Sequence, residues 1–401
     1  MVGLSLFLVL AVGVVVWLSR HDSTYHAPLD RPAGPEADEA AATTLLADFE
    51  TAVHRHDPTV VARLGATPAE GNTLSGVVRN GRALHVTDFT LRYVDTSGAV
   101  SADGSWSADV ATTWRFAGFD ERAEHLEVRV GFRPEPGGLR ITEIGGGDRR
   151  TPLWLSGPLQ VRRTPTSMVL VAGTPARADA FAALARQAVP QVRRVLPAWS
   201  GGLVVEVPSS EKALDAALGA DAGEYHGIAA VTTTVDGSHS RRSPSHVFVN
   251  PDVFDPLRPR GAQVVITHEA THVATDAATS PAPIWLVEGF ADYVALSAQR
   301  IPLRTTAARI IALVRHRGVP RQLPGQAQFA TGARDLEARY ESAWLACRLL
   351  AKDAGTGALV AFYRAMDAGG ALGPELRRHL GLTPASFTKA WRSLLAHLPG
   401  E

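Results

Sequence analysis

One cysteine, Cys347, stands in 401 residues. No intrachain disulfide can form, so packing and hydrogen bonds must hold the fold. The thiol sits in the apolar run Trp344–Leu350, where it reads as a small core residue. Lacking disulfides removes one argument for an extracellular site without excluding it. Lysine is nearly missing too, found only at Lys212, Lys352 and Lys389. That bias, with the many alanines and glycines, points to the codon usage of a GC-rich bacterium and says nothing of function. Neither sign of charge is in excess, with 40 basic against 40 acidic residues. The balance leaves no whole-chain electrostatic case for nucleic acid or an anionic surface as partner. Length and an ample apolar content predict one to three domains.

The one long apolar run is at the N-terminus. Val2–Leu18 is apolar apart from Ser5 and is followed by Arg20 and His21. As a helix it would span about 25 Å, the short end of a bilayer crossing. No small-residue cleavage site follows it. Residues 1–20 therefore read as an uncleaved signal-anchor, giving a single-pass cell-membrane protein with the rest of the chain outside the cytoplasm; cleavage would instead release a secreted form. Arg20 lies on the C-terminal side of the run, and the flanking charges do not settle orientation. Residues 21–40, rich in Pro, Asp and Ala, read as a flexible tether.

The chemistry is concentrated in Ile266-Thr-His-Glu-Ala-Thr-His-Val273, an HExxH motif. His268 and His272, four apart, share one helix face and can hold one ion from adjacent turns. Glu269 is left free to act as a general base. Zinc takes a third protein ligand and keeps a position for water. Asp276 cannot supply that ligand, because eight helical residues from His268 cover about 12 Å against metal bonds of about 2 Å. A metzincin histidine is also absent, since Thr275 and Ala278 stand where that motif needs Gly and His. Glu288, in Trp285-Leu-Val-Glu-Gly-Phe-Ala-Asp-Tyr293, is the best candidate. Asp292, four residues on, faces the same way and suits an acceptor for a ligand histidine N–H.

HExxH followed by W-L-x-E-G-x-A-x-Y resembles the gluzincin metallopeptidases, the thermolysin-related clan, and is most similar to bacterial peptidases with short MA-type catalytic domains. The resemblance covers roughly Ser167 to Leu398 and is specific at the two motif helices. It implies one zinc ion per chain on His268, His272 and Glu288, water activation by Glu269, and Asp292 as the supporting carboxylate. The stretch from Tyr340 to Gly355 is similar to the helix after the motifs, with Tyr340 in the position that steadies the oxyanion. His226, in Glu224-Tyr-His-Gly227, is a second candidate for that role. In this group the edge strand before the zinc helix pairs with substrate backbone, and Ser245–Asn250 is the matching segment.

The rest of the chain frames these motifs. Ala41–Leu64 has helical apolar spacing. Leu84–Tyr93, Trp106–Phe116, Ala123–Phe132 and Gly138–Ile144 alternate as strands. Residues 41–150 are thus a small α+β unit, similar in architecture alone to the cone-shaped nuclear transport factor 2-like fold. Residues 162–401 form the zincin-like domain: strands at Met168–Ala172, Leu203–Val207, Ile228–Val235 and Ser245–Val249, the motif helix at Ala262–Asp276, then mostly helices. The whole reads as an α+β, membrane-anchored zinc metallopeptidase acting on a peptide or protein. The competing reading is a tethered binding or assembly module whose zincin-like domain is weakly active or inactive.

Overall fold

The computed structural model describes residues 36–398. The expected signal-anchor and most of the tether lie outside them. Among the described residues no helix is long and apolar enough to cross a membrane. The architecture is α+β, with two small sheets.

The first sheet is preceded by three helices, α1 (Glu39–Arg55), α2 (Pro58–Ala62) and α3 (Pro68–Leu84). Asp38, Asp57 and Thr67 cap them through their side chains, and Pro58 and Pro68 open the latter two. Then β1 (Val86–Ser97), β2 (Trp106–Phe116), β3 (Glu124–Glu135) and β4 (Gly138–Ile144) form an antiparallel meander in chain order. Every second residue of β2, from Trp106 to Phe116, is buried, which is why its limits are plain in the sequence. Helix α3 is marked more faintly, by Leu74, Val77, Val78 and Leu84 at helical spacing. It is rich in glycine and asparagine, and its buried face works by close backbone approach. A methyl group on Gly71 would meet the Ala62 carbonyl oxygen at 2.6 Å, and one on Gly76 the Pro158 nitrogen at 2.6 Å.

The second sheet contains β5 (Gln160–Arg163), β6 (Ser167–Val171), β7 (Leu203–Val207), β8 (Ala230–Thr234) and β9 (Ser245–Val249), in the spatial order β5-β6-β7-β9-β8. β6, β7 and β9 are parallel, and the outer strands β5 and β8 run antiparallel to their neighbours. This corrects one expectation: Ser245–Asn250 is interior, and the edge strand is β8. Burial explains the order, since β9 is buried at four of its five positions and β8 only at its ends.

Both faces of this sheet are covered, each by a different core. Val169, Val171, Val205, Val207, Val247 and Val249 pack on the helices that follow. Met168, Leu170 and Val204 belong instead to the core of the first unit, with Trp114, Trp154 and Phe116. The seam carries charge. His246 on β9 is buried, with Nδ1 2.7 Å from Glu206 and Nε2 3.2 Å from Asp120 of the first unit, and its ring stacks on Phe116. Burial pulls its pKa down, but the two carboxylates outweigh this and push it up to about 10. Beside it, Ser243 donates to buried Glu124, whose pKa burial raises to about 7.

The helices are α4 (Pro175–Val195), α5 (Glu211–Leu218), α6 (Pro251–Phe254), α7 (Pro259–Ala274), α8 (Ile284–Ser297), α9 (Leu303–Thr306), α10 (Ala308–Arg317), α11 (Leu336–Ala354), α12 (Thr356–Asp367), α13 (Leu372–Leu380) and α14 (Pro384–His397). α7 lies between α4 and α8, and α8 between α7 and α11. α8 is apolar nearly all round, as a helix enclosed by others must be.

Candidate metal centre

Helix α7 opens on Pro259 and turns a polar stripe toward α4. Thr267, Thr271 and Thr275 each donate to the carbonyl four residues back, so buried hydroxyls are satisfied inside the helix. Gln263 donates to the Leu184 carbonyl and Thr267 meets Gln191, each at 3.2 Å, and these bonds to α4 fix the rotation of α7. Its remaining face presents His268 and His272 to α8, their rings 4.5 Å apart and at 86°.

From α8, Glu288 Oε2 lies 3.2 Å from His268 Nε2 and 3.3 Å from His272 Nε2. One ligand atom from each of the three residues falls within 4.8 Å of the others, a group that could hold a metal ion. Asp292, one turn along α8, accepts from His268 Nδ1 at 2.8 Å. This bond keeps the Nδ1 proton in place and leaves the Nε2 lone pair toward Glu288. The surroundings favour positive charge here. Burial opposes a charged His268, yet Asp292 and Glu288 raise its pKa well above the usual histidine value. Burial also opposes ionised Glu288, yet the histidines hold its pKa far below the carboxylate range.

Glu269, next to His268 on α7, is met from the β8 side by Thr232. Thr232 Oγ1 lies 2.7 Å from its Oε2 and 3.2 Å from its backbone oxygen. Burial raises the pKa of Glu269, against the lowering effect of His268 and His272. Tyr340, in the first turns of α11, sets its ring 6.2 Å from that of His268. Burial, then the charges of Glu288, Asp292 and Glu269, raise its pKa, so the phenol keeps its proton. Phe329 closes on Tyr340 from outside, edge to face at 5.0 Å.

The close fit of α8 to α11 depends on Gly289, next to Glu288. A methyl group there would stand 2.3 Å from the Ala343 oxygen and 3.1 Å from Cys347 Sγ.

Six sequence-predicted residues therefore come together: His268, Glu269, His272, Glu288, Asp292 and Tyr340. His226 is not drawn in; its side chain is 84% exposed and 3.4 Å from Glu211 of α5. Asp276 follows the end of α7 and takes no part. The tip of the β8–β9 hairpin joins α12 instead, through Arg241 to Asp367 at 2.8 Å, beside a cavity of about 520 Å³ at the seam of the two units. Sequence reasoning missed Thr232 and Phe329, whose roles exist only through tertiary contact and carry no local signal. Comparison with protein-family models and with curated proteins gives no match.

Proposed function

We propose that the chain is a zinc-dependent metallopeptidase of the gluzincin type, built on a zincin-like domain and acting on peptide or protein substrates. The observation that carries this reading is the pair of Nε2–Oε2 distances, 3.2 and 3.3 Å. Ligand atoms around a tetrahedral ion with bonds of about 2.0–2.1 Å stand about 3.3–3.4 Å apart. Two imidazoles and one carboxylate, with Asp292 supporting a ligand histidine, are a donor set that suits zinc and leaves a position open.

When bound, zinc supplies a Lewis acid that polarises a carbonyl and eases loss of a proton from water. Glu269, held by Thr232 beside the ligand histidines, would take up a proton from water and later give it to the leaving amine. Tyr340, a protonated phenol beside His268, donates to the oxygen on which charge develops. His268, His272 and Glu288 would hold the ion, with Asp292 orienting His268. The test is digestion of an unstructured protein by the full-length chain. Cleavage should stop on chelation, return with zinc, and be absent from Glu269→Gln. A zinc-loaded parent that cuts no polypeptide would leave a tethered binding module as the better reading.

A further inference from the structure

The even charge of the whole chain conceals an uneven distribution. Between Asp292 and Asp335 stand 42 residues without one Asp or Glu, and among them are seven arginines: Arg300, Arg304, Arg309, Arg315, Arg317, Arg321 and Arg334. All seven are exposed. Arg309 pairs with Glu337 and Arg317 with Asp335. None of Arg300, Arg304, Arg321 and Arg334 has an ion-pair partner among the described residues.

This basic segment is tied at three points to the helices that carry the metal centre. Phe329 packs on Tyr340, whose ring faces His268. The Ile310 N–H, at the start of α10, donates to Glu341 at 2.7 Å, the residue after Tyr340. Leu303 and Thr306 of α9 line a groove of about 230 Å³ against Leu296 of α8 and Trp344 of α11, the helices that carry Glu288 and Tyr340. Unpaired guanidinium groups along one border of a cleft concentrate anions there, and their planar fork binds carboxylates two bonds at a time.

We propose that residues 299–334 form an electrostatic docking border that selects acidic polypeptide segments for the centre beside it; the choice of substrate, though not the docking, rests on the peptidase reading. A polypeptide is favoured over an anionic lipid surface because a membrane-docking patch gains from apolar side chains that insert. Among the described residues, the exposed large apolar ones, Val60 and Val94, lie in the first unit instead.

The test uses the full-length chain in two arms. The first is binding to the zinc-loaded Glu269→Gln variant of two fluorescein-labelled 12-residue peptides of Ala and Gly, one with six Glu and one with six Gln. The Glu peptide should bind at least about 10-fold more tightly at low salt, and the preference should shrink as added salt shortens the screening length. The double charge reversal Arg304→Glu with Arg321→Glu should abolish the preference and leave thermal stability unchanged. The second arm is digestion of a mixed peptide library, where Asp and Glu should be enriched near the cuts by the parent and not by the double variant. Binding of the Glu peptide without any hydrolysis would remove the peptidase reading and keep the docking border. Hydrolysis and binding without charge preference would keep the peptidase and overturn the border. Indifference to acidic peptides, with retention on anionic over neutral vesicles lost in the double variant, would assign the patch to lipid and overturn the proposal.

Discussion

Glu269 and Glu288 have the same carboxylate on adjacent helices, yet their removal should differ. Glu288→Ala deletes a ligand atom that faces both histidines, so zinc per chain, read by atomic emission, should fall toward zero together with turnover. Glu269→Gln keeps the shape of the side chain and touches no ligand atom. Zinc should stay near one per chain while turnover falls by roughly 10²–10⁴-fold. An active Glu269→Gln would falsify the role of Glu269 as base. Asp292→Asn weakens the acceptor on His268 Nδ1 and should cost roughly 10–100-fold in zinc affinity, measured by competition with a chelating dye. These residues were legible in the sequence because HExxH sets two side chains on one helix face by spacing alone. Glu288 followed from the need for a third ligand on another element. Thr232 was not legible: it is one threonine among several in an ordinary strand, and only the fold lays it on Glu269.

At the scale of elements, α8 and α11 touch where Gly289 leaves room for the Ala343 carbonyl. Gly289→Ala should separate the two helices, cost about 1–3 kcal/mol from overpacking, and shift Glu288 with its backbone. The expected result is a lower melting temperature together with weaker zinc binding. A variant whose zinc affinity equals the parent's would show that Glu288 does not depend on this crossing. Element limits were clearest where β2 alternates strictly and where β7 and β9 are short apolar runs bounded by Gly202, Pro208, Pro244 and Asn250. α3 escaped because its apolar stripe of Leu74, Val77, Val78 and Leu84 is diluted by glycines and asparagines, which are weak helix formers. The order of β8 and β9 escaped because nothing local to a hairpin says which strand is inner, and only pairing with β7 decides it.

At the scale of the molecule, the two units share a sheet and a charged seam. A fragment beginning at Arg162 would cut β5 and bare Met168, Leu170, Val204 and Val235, so it should aggregate where a chain from His21 stays soluble; the soluble fraction after expression decides. The seam also predicts a pH dependence. Glu124, with its pKa raised to about 7, holds a proton in the fold that the unfolded chain has released, so its contribution is lost as pH rises from the usual carboxylate range through about 7. His246, raised to about 10, contributes fully below its unfolded value near 6.5 and loses that contribution as pH climbs through about 10. Melting curves of zinc-saturated protein should show Glu124→Gln gaining on the parent as pH rises to about 7 and keeping that gain above it. A variant that tracks the parent at every pH would leave Glu124 with no such role. The shared sheet also bears on biosynthesis. A ribosome delivers α1 through β4 well before β6 and β7, so the meander emerges with Trp114 and Trp154 still waiting for Met168, Leu170 and Val204. Folding cannot finish domain by domain as it does for separable units. The nascent first unit must keep an open apolar face through the synthesis of the fifty further residues from Trp154 to Val204, a window in which a chaperone has its surface to bind.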